Sequence, residues 1–151
     1  MNVLTQCLNT VEGTQAGDTD KMTDRFKSRA WDAENKIMQT SFGVHNESGK
    51  PFIVTGSYFE FKNWIILYCT GLKDCEGNLV FEGDILQTEL GFIGKVYWDE
   101  YEASYFIHFY KTDNQEDSHE LLYSEVRLAK IIGNIYENPD ALQSGMEVLK
   151  K

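Results

Sequence analysis

Hydrophobic positions in this chain recur mostly at every second residue, in short runs broken by glycine, asparagine and aspartate. Residues 25–31 set Phe26, Ser28 and Ala30 against Lys27, Arg29 and Trp31, the period of a first strand. The following DAENK at 32–36 reads as a turn into Ile37 and Met38, completing a hairpin. Between 39 and 56 the pattern weakens: Gly43, Asn46, Ser48, Gly49 and Pro51 mark loops around the short apolar run 52–54, and 58–61 is a second such run. Residues 64–68 (WIILY) are continuously apolar, and their β-branched and aromatic content favours strand over helix. Residues 92–98 are apolar on both sides of the alternation, which predicts a strand covered on both faces. The aromatic run 104–111 (SYFIHFYK) is predicted to return beside it after a loop at 99–103. The last β material falls at 121–123 and 128–136, where Gly133 predicts a bulge or sharp bend. Asn138 as N-cap and Pro139 at the first helical position then open one short helix, with Leu142, Met146 and Leu149 on a single face.

The rest of the chain is organised around residues 68–86, YCTGLKDCEGNLVFEGDIL. Asp74, Cys75, Glu76 and Gly77 carry the side-chain order of a type I turn, with aspartate first and glycine last. Asp74 is placed to accept a hydrogen bond from the backbone two residues on, and Gly77 to supply a positive φ. Glu82, Gly83 and Asp84 make a second reversal, while Thr70 and Gly71 punctuate the approach. The segment therefore reads as strand, turn, short strand, turn, strand. Gly71, Asp74, Gly77, Gly83 and Asp84 form its structural turn motif.

Composition changes this picture only in part. A chain of 151 residues suits one domain, and with 42% hydrophobic and 13% aromatic residues it has the means to build a packed core. Residues 1–21 are polar and aperiodic and read as an N-terminal extension to a single domain at 22–151. The three cysteines, Cys7, Cys69 and Cys75, are odd in number and lack CxxC spacing, which points away from a disulfide framework or a zinc site and towards a reducing cytoplasm. No window approaches the length of an apolar membrane span and the first residues do not resemble a signal peptide, so the expectation is a protein that stays in the cytoplasm of the cell that makes it.

Charge is uneven. Within the net −10, residues 97–125 hold eight acids against one base, Lys111. This is either a solvated, solubility-giving face or a docking face for a basic partner, and it repels phosphate backbones. The single basic cluster, Lys21, Arg25, Lys27 and Arg29 beside Trp31, is the candidate interaction surface. It serves either to pack against acidic parts of the same or a neighbouring chain, or to contact nucleic acid. Catalytic patterns are missing: His45, His108 and His119 have no metal-binding spacing, and there is no GxSxG, Walker or GxGxxG sequence. His108 reads as a packed strand residue, and His119 as a solvated residue or a partner of Glu116 or Glu120. Asp74 and Asp84 would make a general acid and base only if the fold brought them together; each already has a role in its glycine turn. Lys73 is the sole basic neighbour for the thiols of Cys69 and Cys75. No catalytic residue, cofactor or metal ligand is assigned.

The central stretch resembles the YopX family of phage and prophage proteins. The residues that carry the resemblance are Tyr68, Thr70, Gly71, Leu72, Asp74 and Gly77, then Glu82, Gly83, Asp84 and Ile85. Cys69 stands between Tyr68 and Thr70, where the family runs tyrosine directly into threonine. FKSRAWD at 26–32 and IGNIYENP at 132–139 fit the same family, so the resemblance runs from about residue 22 to about residue 142. It implies a fold and a phage context without a known activity. The resulting expectation is a mainly β, hairpin-built small barrel, SH3-like with added strands and one short C-terminal helix. Its expected role is that of a non-enzymatic accessory protein that binds a protein partner or itself as a homo-oligomer. The alternatives are a nucleic-acid-binding small barrel, disfavoured by the charge, and a hydrolase built on Asp74, Asp84 and a histidine.

Overall fold

Alternation in the sequence becomes pairing in three antiparallel sheets. The computed structural model describes residues 24–56, 58–109 and 118–142. In chain order the strands are β1 (Ser28–Asp32), β2 (Ile37–Gln39), β3 (Gly43–Val44), β4 (Pro51–Thr55), β5 (Tyr58–Phe61), β6 (Ile65–Lys73), β7 (Leu79–Phe81), β8 (Asp84–Thr88), β9 (Ile93–Asp99), β10 (Ser104–Phe109), β11 (Ser118–Leu121) and β12 (Ala129–Asn134). They assemble as β2-β1-β6-β7, β11-β10-β9-β8-β12 and β3-β4-β5. The fold is mainly β and built from hairpins, with a curled, half-barrel sheet, in keeping with a small barrel-like architecture.

Local chemistry accounts for the hairpins. In the DAENK turn Asp32 Oδ1 accepts the backbone N–H groups of Glu34 at 3.1 Å and Asn35 at 3.0 Å, and Lys36 takes a φ of 55°. β2 is thereby returned alongside β1 with Trp31 opposite Met38. β9 and β10 pair as their sequences predict, Val96 opposite Ile107 and Gly94 opposite Phe109. A Cβ at Gly94 would lie 2.7 Å from the His108 carbonyl oxygen, so the hairpin closes there only around a glycine. The bulge predicted at Gly133 is present, where the β12–β8 register shifts between Ile131 and Gly133.

The core sits on the five-stranded sheet and gathers Leu86, Val96, Ile107 and Phe109 with Val80, Leu122, Val126 and Ala129. Two of these overturn an expectation. Residues 121–123 are not a strand: only Leu121 ends β11, and the chain turns into a one-turn helix, α1 (Leu122–Glu125), followed by a 3-10 turn at Val126–Leu128. Helical spacing carries Leu122 and Val126, four apart, to the same side, and both are fully buried there. The first strand also starts later than expected. Lys27 N–H donates to the Asp24 carbonyl at 3.1 Å, closing a turn that leaves Phe26 exposed.

At the C-terminal end the backbone is helical at 140–142, and Asn138 Oδ1 accepts the Asn134 N–H at 3.3 Å. Met146 and Leu149, the extension 1–21 with Lys21, and most of the expected acidic loop at 112–118 lie outside the described residues. Among the described residues no helix is long and apolar enough to cross a membrane.

Candidate functional site

Each aspartate of the central stretch is consumed by the turn it sits in and by a strand distant in sequence. Asp74 Oδ1 accepts Glu76 N–H at 3.0 Å and Asn78 N–H at 2.8 Å, while Oδ2 accepts Ile131 N–H of β12 at 3.1 Å. Gly77 N–H donates to the Asp74 carbonyl at 3.0 Å with φ at 86°, as the sequence predicts for this turn. Asp84 Oδ2 accepts Phe81 N–H at 2.9 Å, and Oδ1 accepts Asn134 Nδ2 at 3.1 Å and Arg29 Nη1 at 3.4 Å. Burial pushes the Asp84 carboxyl above the ordinary aspartate value, against the pull of those three donors. Gly71 and Gly83 hold φ of 76° and 77°. Cys69 and Cys75 are both buried, and burial raises the Cys69 thiol, the opposite of what a nucleophilic cysteine needs.

The basic cluster that leads into β1 is divided among different tasks. Lys27 Nζ is 2.7 Å from Asp24, and Lys73, from the end of β6, is 3.8 Å from the same carboxylate. That carboxyl is held below its usual value, first by the hydrogen bond from Lys27. The Arg29 guanidinium lies 3.8 Å from the centroid of the Phe81 ring while it pairs with Asp84. Arg25 covers Phe26 at 4.8 Å. Trp31 is only 8% exposed and stacks on Tyr136 with centroids 5.9 Å apart, so it presents no open ring face. Lys27, Arg29 and Lys73 line a cleft of about 770 Å³ with Asp24, Asn78 and Phe81, where β1 meets the central turn. This arrangement ties strand to turn and offers cations to an anionic group, but it contains no activated nucleophile. Sequence reasoning missed Asp24 and Lys73; the one local signal was the three-residue spacing of Asp24 and Lys27.

A third region was barely legible in the sequence. The β3-β4-β5 sheet pairs Phe52 with Phe61 and Thr55 with Tyr58, so strand alternation puts Phe52, Val54 and Phe61 on one face and Tyr58 on the other. Phe52 and Phe61 meet edge to face at 6.2 Å. Nevertheless Val54 is 64% exposed, Tyr58 66% and Phe61 51%, leaving apolar surface open on both sides of this small sheet.

Comparison with known proteins bears on these features. The family model YopX, described as YopX protein, matches residues 27–143. The chain belongs to the YopX family. The match takes in the central turns, β1 and the segment at 132–139 that carried the sequence resemblance. Among solved structures this YopX-family chain is similar to that titled "Crystal structure of protein EF1440 from Enterococcus faecalis", with 25% identity over 77% of this chain and 96% of that one and a TM-score of 0.44. No curated protein matches.

The histidines of this YopX-family chain do not converge on the aspartates. His108 and His119 face each other across β10 and β11 with ring centroids 4.3 Å apart, and His119 Nδ1 lies 2.8 Å from the Tyr97 hydroxyl. Burial, with Asp99 second, pushes that hydroxyl above the usual tyrosine value. Among the described residues no three His, Cys, Asp or Glu side chains gather as a metal would require.

Proposed function

We propose that this protein is a non-enzymatic, phage-type accessory protein that works by binding a protein partner or a second copy of itself through the β3-β4-β5 sheet. The observation that carries the reading is the exposure of Val54 and Phe61 on one face and Tyr58 on the other. A small sheet gains little stability unless an apolar face is covered, and exposed apolar patches on folded proteins mark interaction sites. β3 and β5 are also edge strands, which lets a partner add backbone hydrogen bonds as well as apolar contact. The employment of Asp74 and Asp84 in turns and the burial of both cysteines support a role without chemistry.

Light scattering on the full chain tests the reading. The expected mass is a multiple of the 17.4 kDa protomer at micromolar concentration, and the double variant Val54→Ser, Phe61→Ser returns it to the protomer with an unchanged circular dichroism spectrum. A monomeric parent chain would remove self-association and leave the heterologous partner, sought by comparing affinity capture on the parent and on the double variant. Equal behaviour of the two in both experiments would end the proposal for this sheet.

A further inference from the structure

The β8–β9 turn, the ends of β10 and β11, and the segment from α1 to the 3-10 turn border a half-open pocket of about 460 Å³. Its apolar lining includes Phe92 and Phe109, whose rings meet edge to face at 6.3 Å. Three carboxylates share the lining, those of Glu89, Glu120 and Glu125, and among the described residues no lysine, arginine or histidine lines it. Glu89 Oε1 is buried and, among the described residues, accepts no hydrogen bond. A buried carboxylate oxygen without a donor is costly, and an incoming donor relieves that cost.

The turn beside the cavity is held by local hydrogen bonds. Gly91 N–H donates to the Thr88 carbonyl at 3.0 Å and Phe92 N–H to Thr88 Oγ1 at 3.1 Å, which fixes Leu90 at the tip, 79% exposed. Such tips are ordinarily polar. An apolar wall, an aromatic pair, three carboxylates with no cation beside them among the described lining residues, and a projecting leucine together match one chemistry. We propose that this cavity takes an arginine or lysine side chain from a basic segment of a protein partner, the apolar neighbours of that side chain packing on Leu90. A guanidinium suits the site best, since its planar fork donates to carboxylates while its face lies on an aromatic ring. Glu120 and Glu125 belong to the acidic stretch 97–125, so the field that would steer a basic partner and the site that would hold it coincide. The inference rests on reading the chain as a protein-binding module but uses a surface separate from the β3-β4-β5 sheet.

Fluorescence anisotropy on the full chain, with a labelled leucine-arginine peptide and its citrulline counterpart as probes, tests it at about 150 mM salt, where exposed charges are largely screened. The expected result is saturable binding of the arginine peptide that weakens about tenfold or more with citrulline, which keeps the shape and removes the charge, and with Glu89→Gln. Leu90→Ser is a second variant, on an exposed side chain that the fold does not need, and it is also expected to weaken binding. The double variant Val54→Ser, Phe61→Ser is expected to bind the peptide like the parent, so loss of the sheet's role and loss of the cavity's role read out separately. Absence of binding, equal binding of the citrulline peptide, or indifference to both Glu89→Gln and Leu90→Ser would overturn the assignment. Binding that appeared only after Lys111→Ala would overturn it as well, because the chain's own lysine would then be the occupant.

Discussion

Asp74, in the turn between β6 and β7, accepts the backbone N–H of Ile131 in β12 at 3.1 Å, a bond between residues 57 positions apart. Cys75 N–H donates to the Ala129 carbonyl at 3.0 Å beside it, so the central turn is pinned to the strand that closes the five-stranded sheet. The same carboxylate caps its own turn through Glu76 and Asn78.

Asp74→Ala is therefore expected to cost about 3 kcal/mol, since it strands several backbone donors at once. Asp74→Asn keeps one acceptor oxygen and should cost less. Equilibrium urea unfolding checks both, and a midpoint for Asp74→Ala equal to the parent's would show that the cross-link carries no stability.

Two glycines should separate local strain from steric exclusion. Gly77 has φ at 86° and open space where a Cβ would stand, so Gly77→Val should cost about 1 to 3 kcal/mol through backbone strain alone, and Gly77→Asn less. At Gly94 a Cβ would meet the His108 carbonyl oxygen at 2.7 Å and Ile107 Cγ1 at 2.8 Å, in a paired strand that has little freedom to give. Gly94→Ala is expected to lower the urea midpoint more than Gly77→Ala. The reverse order would count against the β9–β10 register.

Asp32 and Asp84 should respond to pH in opposite senses. The Asp32 carboxyl is held below its ordinary value, 3.8, first by the Asn35 side chain; its contribution is present above that value and is lost as pH falls through the folded value. The Asp84 carboxyl is raised by burial, so its folded state favours the proton; its contribution is complete below 3.8 and is lost as pH rises through the folded value. The stability deficit of Asp32→Asn should accordingly grow as pH rises through the acid range, and that of Asp84→Asn should shrink as pH rises above 3.8. Urea midpoints of parent and variants between about pH 2 and pH 7 measure both trends, and parallel curves would refute the assignment.

Nucleic acid is expected not to bind usefully. With Lys27 on Asp24, Arg29 on Asp84 and Phe81, and Trp31 stacked beneath Tyr136, the β1 cluster has few groups left for a phosphate backbone. Even four phosphate contacts would give only salt-sensitive, non-specific affinity of about 10⁻⁴ M. Anisotropy with short DNA and RNA at about 150 mM salt should show no saturation below ~10 µM. Tight binding abolished by Arg25→Ala and Arg29→Ala would instead make β1 the site.

The sequence by itself determined what depends on neighbours. The Asp74 to Gly77 turn, the Asp32 turn, the β9–β10 hairpin and the Gly133 bulge were readable because a side chain and the backbone a few residues away settle each of them. Tertiary structure decided everything that required distant partners. Leu122 and Val126 become helical because the core lies on one side of them, although 121–123 read as strand. That Arg29 would either meet an acid or contact nucleic acid was readable, but only the fold brought Asp84, 55 positions on, to meet it. The runs at 52–54 and 58–61 read only as short apolar stretches among loops, and the fold leaves Val54, Tyr58 and Phe61 open because no described strand covers that sheet. Glu89, Glu120 and Glu125 share a cavity only because the β8–β9 turn, β11 and α1 converge on it. Hydrogen-bonded turns are encoded in contiguous residues, whereas burial depends on which remote strands pair, and no single stretch of chain carries that information.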